Sequence, residues 1–330
     1  MRPFTFTTAQ NTEEALAVSE SNQKAKYLAG GTNLVDLMKE DVEQPTQLIE
    51  IADLQFNEVR KNNSGGYTLG AMLSNADTAN HPEIRKNYPL LSMAMLSAAT
   101  AQIRNMATNG GNLLQRTRCP YFFETSMPCN KRQPGSGCGA LKGNNGNHAI
   151  FGWSESCVAT HPSDMCVALA ALKAKVTVLK PDGTTRIIDF KDFHRLPGDA
   201  PEKDNSLNPS ELIIAIDLPE STFAKKYYYL KIRERSSYAF AMIAVAAALQ
   251  VKSGVITDVA LAMGGVAHKP WVLNTSEKFL IGKKPSQENF EEAANLAMRD
   301  AKPLADNIYK IEMGKKAIVR ALLQANEREA

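Results

Sequence analysis

The sequence predicts an α+β protein made of three successive units. Segments with helical periodicity alternate with short apolar runs of strand length, and polar or glycine-rich stretches separate them. The length of 330 residues is enough for two or more domains. A hydrophobic content of 44% is typical of a soluble globular protein with a full core.

Residues 1–57 are predicted to form the first unit, a small α/β structure. The stretch NTEEALAVSE predicts a helix with Asn11 as its cap and Glu14 at the third helical position, the pattern of a capping box. AKYLAGGTNLVDLMKE predicts a strand, a Gly-Gly turn and a helix, and TQLIEI predicts a second strand.

Residues 58–222 are predicted to form the second unit, which carries a loop insert at 115–158. PLLSMAMLSAAT predicts a helix, and Ser163 is a suitable cap for another. That helix leads into a hairpin turned at 181–183, Pro-Asp-Gly. ELIIAIDLP, a continuous apolar strand, closes the unit.

Residues 223–330 are predicted to form a C-terminal domain of a three-stranded sheet plus helices. Long strand-like runs flank KSGVIT, although the alanine-rich stretch 241–248 is also compatible with a helix. The last fifty residues show apolar positions at helical spacing.

Charge and hydropathy exclude two classes of partner. A net charge of +3 is too small for a general nucleic-acid binder, and no apolar run is long enough to span a membrane. The N-terminus lacks the apolar core of a signal peptide, so we expect a cytoplasmic protein. Export to the periplasm would then require a partner subunit that carries the signal.

Two segments combine paired glycines with small polar residues, at 29–33 (AGGTN) and 109–113 (NGGNL). We expect each to follow a strand, and paired glycines permit positive φ and close approach of backbone N–H groups to a ligand. A helix N-terminus after the turn would favour a phosphate. The alternative is two ordinary turns. The dinucleotide motif GxGxxG and the P-loop motif are both absent.

Four cysteines cluster in and after a stretch rich in Pro, Gly and Ser: Cys119, Cys129, Cys138 and Cys157. No close pair of the kind that zinc sites use occurs among them. The spacing leaves an iron–sulfur cluster, zinc and free thiols as alternatives. Five cations against one acid within 115–142 would suit a negatively charged cluster. Cys166 differs, because it lies in an apolar helix and is predicted to be a buried free thiol.

No catalytic residue is predicted. The five histidines form no HExxH motif, and GxSxG is absent. His161 precedes a helix start and is expected to be structural. Asp164 can bind a ligand hydroxyl or complement the helix dipole. Lys231 is either a solvated strand residue or a partner for an electron-rich ring.

Five motifs in order resemble the FAD-binding medium subunits of the molybdenum hydroxylases, the xanthine dehydrogenase and carbon monoxide dehydrogenase family. They are AKYLAGGTNLVDLM, QIRNMATNGGNLLQ, ATHPSDMCVALAAL, ELIIAIDLP and YLKIRERSSYAFA. The resemblance spans nearly the whole chain. The cysteine insert is similar to that of a subset with an extra [4Fe-4S] cluster, such as the flavin subunits of bacterial periplasmic aldehyde oxidoreductases.

The resemblance implies a vanillyl-alcohol-oxidase type of FAD fold, with two α/β subdomains followed by a C-terminal CO-dehydrogenase-flavoprotein-like domain. It implies that Asp164 lies near the ribityl chain, Ile213 beside the flavin or adenine, and Lys231 near the isoalloxazine. A family position that often carries an aromatic residue over the flavin falls near Ala98. Residues implied to hold the FAD diphosphate are Leu28, Ala29, Gly30, Gly31, Thr32, Asn33, Leu34, Thr108, Gly111 and Asn112. Residues implied to ligate the cluster are Cys119, Cys129, Cys138 and Cys157.

The function implied is that of an electron-transfer subunit of a heterotrimeric aldehyde oxidoreductase. Its partners would be a large molybdenum-cofactor subunit and a small [2Fe-2S] subunit, and an external acceptor would receive the electrons. One alternative is a stand-alone FAD oxidoreductase of the same fold with structural zinc. Another is a non-redox scaffold or nucleotide-binding module.

Overall fold

A computed structural model describes residues 1–328 of the chain. The first unit is a parallel three-stranded sheet of order β1-β3-β2 with two helices. Its elements are β1 (Thr5–Thr8), α1 (Thr12–Ser21), β2 (Ala25–Leu28), α2 (Leu34–Lys39) and β3 (Gln47–Glu50). The predicted cap of α1 is confirmed, since Asn11 Oδ1 accepts from Glu14 N at 2.9 Å. The Glu14 carboxylate accepts from Gln10 N at 2.9 Å, one residue earlier than in a standard capping box.

The second unit is built on an antiparallel five-stranded sheet of order β4-β5-β8-β6-β7. Its strands are β4 (Val59–Lys61), β5 (Tyr67–Gly70), β6 (Lys175–Leu179), β7 (Thr185–Asp189) and β8 (Leu212–Leu218). Its helices are α3 (Asn75–Asn80), α4 (Pro82–Asn87), α5 (Pro89–Ser97), α6 (Ala101–Met106), α7 (Asn109–Leu113), α8 (Pro120–Phe123), α9 (Asp164–Ala171) and α10 (Phe190–Phe193), with a 3₁₀ turn at Gly139–Leu141.

The third unit packs helices against an antiparallel sheet of order β12-β11-β10-β9. Its elements are β9 (Lys226–Ile232), β10 (Ile243–Lys252), β11 (Val255–Gly264), β12 (Trp271–Val272), α11 (Asn274–Leu280), α12 (Gln287–Met298) and α13 (Tyr309–Glu327). The prediction of three strands was wrong, because β12 pairs two residues with β11 and a two-residue strand has no periodicity to detect.

Residues of different units pack into shared hydrophobic cores. Helix α9 is buried along its whole length, and it contacts β10 and β11 of the third unit as well as α5 of its own. Residues 243–248 of the ambiguous run lie in β10, whose residues from Ile243 to Leu249 are all buried. Within residues 1–328, no helix combines the length and apolar character needed to cross a membrane.

Candidate functional site

A cleft of about 580 Å³ lies where the three units meet. The turn before α2 forms one wall, and helices α6 and α7 form another. The N-terminus of α9 and strand β9 close the far side, with Asp164 and Lys231 among the lining residues. The start of the cysteine insert, from Thr117 to Pro120, also lines the cleft.

The first glycine segment is shaped by a close approach between two units. A Cβ added to Gly30 would overlap the carbonyl oxygen of Met106 at the end of α6, so only glycine fits there. Gly31 has φ +69°, the left-handed region that glycine adopts freely. The backbone N–H groups of residues 30–33 have no acceptor among residues 1–328. The buried Asn33 Nδ2 has no partner there either. This run of unused donors fits an anionic group such as a diphosphate.

The second glycine segment differs from its prediction. Residues 109–113 follow helix α6 rather than a strand, and they form the short helix α7. Neither Gly110 nor Gly111 has positive φ. Gly110 N donates to Ala71 O at 2.8 Å, and Gly111 N donates to Thr108 Oγ1 at 3.2 Å. The expectation of two equivalent turns with free N–H groups was therefore wrong, since capping consumes the donors of this segment.

Asn112 belongs to a buried network of amides and hydroxyls. Its Nδ2 donates to Asn75 Oδ1 at 2.6 Å, and its Oδ1 accepts from the hydroxyl of Ser163, the cap of α9. Asn109 Nδ2 donates to Thr78 Oγ1 at 2.8 Å within the same cluster. These bonds tie α3, α7 and the start of α9 together, so they fix the relative positions of two walls of the cleft.

Asp164 and Lys231 form a buried ion pair across the cleft wall. Lys231 Nζ lies 2.7 Å from Asp164 Oδ2, and Tyr229 Oη donates to Asp164 Oδ1 at 2.8 Å. Burial raises the pKa of Asp164, while Lys231 and Tyr229 oppose that rise. The two strand residues are separated by one position and therefore project from the same face of β9. The arrangement presents a fixed carboxylate and ammonium to any ligand in the cleft.

Some of the residues implied to hold FAD line the cleft, and the others do not. Those that line the cleft are Thr32, Asn33, Gly111, Asn112, Asp164 and Lys231. Those that do not line it are Leu28, Ala29, Gly30, Gly31, Leu34, Thr108 and Ile213. Gly30 and Thr108 shape the backbone of lining residues, whereas Ile213 lies on β8 with its side chain buried in the core.

Three features of the cleft were missed from the sequence. Tyr229 was not among the candidate residues, although its alternation with Lys231 on a strand is a usable signal. Arg118 Nη1 donates to Asp36 Oδ2 at 2.7 Å and joins the cysteine insert to α2. Tyr238 and Phe240 line the cleft, as does Ala98, and each aromatic residue is about half exposed. The Arg118 guanidinium lies 5.1 Å from the Phe240 ring centre.

The four clustered cysteines line one small cavity next to the cleft. A short antiparallel bridge joins Cys129 to Cys138, and Asn130 N donates to Gly137 O at 2.7 Å. Burial raises the pKa of the Cys119 thiol to about 12 and that of Cys157 to about 11. Without a metal these two sulfurs are protonated thiols, not reactive thiolates. A metal would have to displace the protons.

The sulfur spacing tests the zinc alternative. Tetrahedral zinc–thiolate bonds of about 2.3 Å bring sulfurs to about 3.8 Å from one another. Within residues 1–328, the one triad of possible ligand atoms that all lie within 4.8 Å of one another consists of His161, Cys166 and His194. No three of the four clustered cysteines meet that limit. The four sulfurs are therefore not arranged as a preformed tetrahedral zinc site.

The basic residues near the cysteines are mostly neutralised by partners outside the insert. Arg116 pairs with Glu43 and Asp204, and the buried Lys131 also pairs with Asp204. The Arg132 guanidinium donates to backbone carbonyls within its own loop. Arg116 and Lys131 are already paired with carboxylates from distant segments. This pairing weakens the expectation that the cations of the insert offset the negative charge of a cluster.

Cys166 is fully buried in α9, which confirms its prediction as a small core residue. It lies beside a pair of buried histidines. His161 Nδ1 accepts from Ser163 N at 3.3 Å, and His194 Nε2 donates to Leu113 O at 2.8 Å. His161 Nε2 and His194 Nδ1 are both buried and have no partner within residues 1–328. The expectation that His161 is structural stays a prediction.

The comparisons with known proteins agree with this geometry. Residues 2–221 match the family described as the FAD binding domain in molybdopterin dehydrogenase. Residues 228–325 match the CO dehydrogenase flavoprotein C-terminal domain. The chain belongs to the family of FAD-binding subunits of the molybdenum hydroxylases. The predictions of this family and of an oxidoreductase flavoprotein subunit are confirmed.

Relatives within this family match more than nine-tenths of the chain. The aldehyde oxidoreductase FAD-binding subunit PaoB of Escherichia coli is 43% identical over 98% of this chain and 99% of its own length. The glyceraldehyde dehydrogenase medium chain of Sulfolobus acidocaldarius is 26% identical over 92% of this chain and 90% of its own. A chain of the CO dehydrogenase structure from Oligotropha carboxidovorans has a TM-score of 0.78 at 22% identity, covering 99% of this chain and 100% of that chain. The predicted fold is confirmed.

Proposed function

We propose that this chain is the FAD and [4Fe-4S] electron-transfer subunit of a heterotrimeric molybdenum-containing aldehyde oxidoreductase. Its partners are a large molybdenum-cofactor subunit and a small [2Fe-2S] subunit. The observation that carries the proposal is the position of Cys119, which lines both the cleft and the cysteine cavity. A flavin in the cleft and a cluster in the cavity would be neighbours, as electron transfer between them requires.

Support for FAD comes from the unused donors of residues 30–33, of which Thr32 and Asn33 line the cleft. The N–H groups of residues 30–33 suit the diphosphate. Asp164 and Lys231 can orient a polar ligand at the opposite wall. The flavin supplies the redox chemistry when bound, and the chain binds it, orients it and limits its contact with water. The proposed diphosphate residues are those of the first glycine segment, with Thr108 acting through the cap of α7.

Support for the cluster comes from four cysteines that line one cavity, with no three of their sulfurs all within 4.8 Å of one another. Cys119, Cys129, Cys138 and Cys157 are the proposed ligands, because thiolates are the usual ligands of iron–sulfur clusters. The alternative of a stand-alone FAD oxidoreductase with structural zinc fits this spacing less well. Zinc without acid-labile sulfide in the purified protein would favour it.

Support for aldehyde chemistry and for the partners comes from the 43% identity with the Escherichia coli subunit along its full length. The test is anaerobic addition of an aldehyde to the heterotrimer purified from a strain that makes all three subunits. We expect the absorption of the oxidised flavin to bleach in the complex and to stay unchanged in this chain alone. A complex loaded with both cofactors whose flavin stays oxidised with every aldehyde would contradict the proposal.

A further inference from the structure

Two histidines of the chain each place a ring nitrogen against a sulfur of the cysteine cavity. His148 Nε2 lies 3.1 Å from Cys119 Sγ, and His268 Nε2 lies 3.2 Å from Cys157 Sγ. Both rings are nearly inaccessible to solvent. The two histidines belong to different units and approach two separate sulfurs.

The surroundings of each ring decide which nitrogen carries the proton. Both Nδ1 atoms are buried and have no partner within residues 1–328. A proton on Nδ1 would leave a buried N–H without an acceptor, which is costly. A proton on Nε2 points at sulfur instead. The favoured tautomer of both rings is therefore an Nε2–H donor aimed at a cysteine.

A buried lysine holds the two histidine segments in place. Lys310 Nζ donates to His148 O at 2.9 Å and to Gly265 O, three residues before His268, at 2.8 Å. Asn307 Nδ2 adds a second bond to His148 O at 3.1 Å. Lys310 therefore ties the backbone at His148 to the segment that leads to His268.

Other polar groups around the sulfurs are few or already paired. Backbone N–H groups of Tyr121 and Phe122 face the Cys119 sulfur, and that of Ala159 faces Cys157. The Lys131 ammonium is bound by Asp204 and a backbone carbonyl. Among residues 1–328, the two imidazoles are therefore the side-chain donors within hydrogen-bonding distance of the Cys119 and Cys157 sulfurs.

We propose that His148 and His268 donate N–H···S hydrogen bonds to the Cys119 and Cys157 thiolates and thereby raise the reduction potential of the cluster. The inference rests on the proposed function. Reduction adds one electron to the cluster, supplied by the [2Fe-2S] partner subunit, and no proton moves. Because the reduced cluster carries more negative charge, a donor to its thiolates stabilises the reduced form more than the oxidised form. His148 and His268 are positioning residues, since their effect passes through the cysteines.

The test is redox titration, followed by EPR, of the heterotrimer carrying His148→Phe or His268→Phe. The cluster signal is defined as the one lost in Cys129→Ser. At a fixed potential, we expect the ratio of reduced to oxidised cluster in each variant to be about tenfold lower than in the wild type. For a one-electron couple this corresponds to a reduction potential about 59 mV lower. His148→Gln and His268→Gln keep a donor and are expected to restore most of the shift.

Unchanged potentials in both phenylalanine variants at full iron content would overturn the inference. If those variants lose iron, pulsed EPR of the reduced wild-type complex labelled with ¹⁵N-histidine decides the question. Weak couplings from two imidazole nitrogens are expected, and their absence would overturn the inference. Wild-type protein without iron and sulfide would overturn the proposed cluster itself, and that result is distinct from a cluster with unshifted potentials.

Discussion

Lys231 Nζ lies 2.7 Å from Asp164 Oδ2, and the two side chains are only 4% and 5% exposed. Removing one partner of a buried pair leaves an uncompensated charge, so we expect Lys231→Met to lower the free energy of unfolding by about 3–5 kcal/mol. The double variant Lys231→Met/Asp164→Asn should lose clearly less than the sum of the two single variants. Urea unfolding of all four proteins measures this. Strictly additive losses would show that the pair is not energetically coupled.

Gly30 is expected to be intolerant of any side chain, because a Cβ there would overlap the Met106 carbonyl. Gly30→Ala should displace the turn before α2 and lower the flavin content of the purified protein several-fold. Gly146→Ala is the matched control, since its Cβ would make only ordinary contacts at 3.7 Å or more. Equal flavin content in the two variants would remove the turn from the site.

Cys129→Ser is expected to abolish the cluster, since serine is a poor ligand for iron. Iron should fall by about four atoms per chain. Flavin content should fall less, because the donors of residues 30–33 lie outside the insert. Cys166→Ala is the control and should keep its iron, because Cys166 does not line the cysteine cavity. A Cys129→Ser protein with full iron content would refute the ligand assignment.

His194 makes the protein sensitive to acid. Burial lowers the pKa of His194 from 6.5 to about 4, so the unfolded chain binds more protons than the folded chain between these pH values. Stability should therefore fall as pH drops from about 6.5 to 4, with this residue contributing about 3 kcal/mol at most. His194→Gln should flatten the dependence of the unfolding free energy on pH in that window. The same slope in both proteins would count against this assignment.

The features that the sequence predicted well are local ones. The Asn11 cap, the turn at Gly31 and the hairpin at 181–183 are each specified within a few adjacent residues, and all three are observed. The four cysteines were grouped from spacing, and they do face one cavity. The continuous burial of α9 was likewise visible as an uninterrupted run of small apolar residues.

The features that were missed depend on contacts between distant segments. Tyr229 and Asp164 are 65 residues apart in sequence, so no local sequence pattern predicts the contact between them. The cations of the insert looked free because Asp204 lies 73 residues beyond Lys131. The second glycine segment matched the first in composition, yet the cap at Thr108 turned it into a helix. Two segments of similar sequence therefore have different backbone conformations.

The central claim is that one chain holds a flavin and a cluster on either side of Cys119. The most direct measurement is the visible spectrum of the purified chain together with its flavin, iron, zinc and acid-labile sulfide content. We predict an oxidised-flavin spectrum with about one FAD and about four iron and four sulfide per chain. A folded, colourless protein, or a yellow one that carries zinc and no sulfide, would contradict the claim.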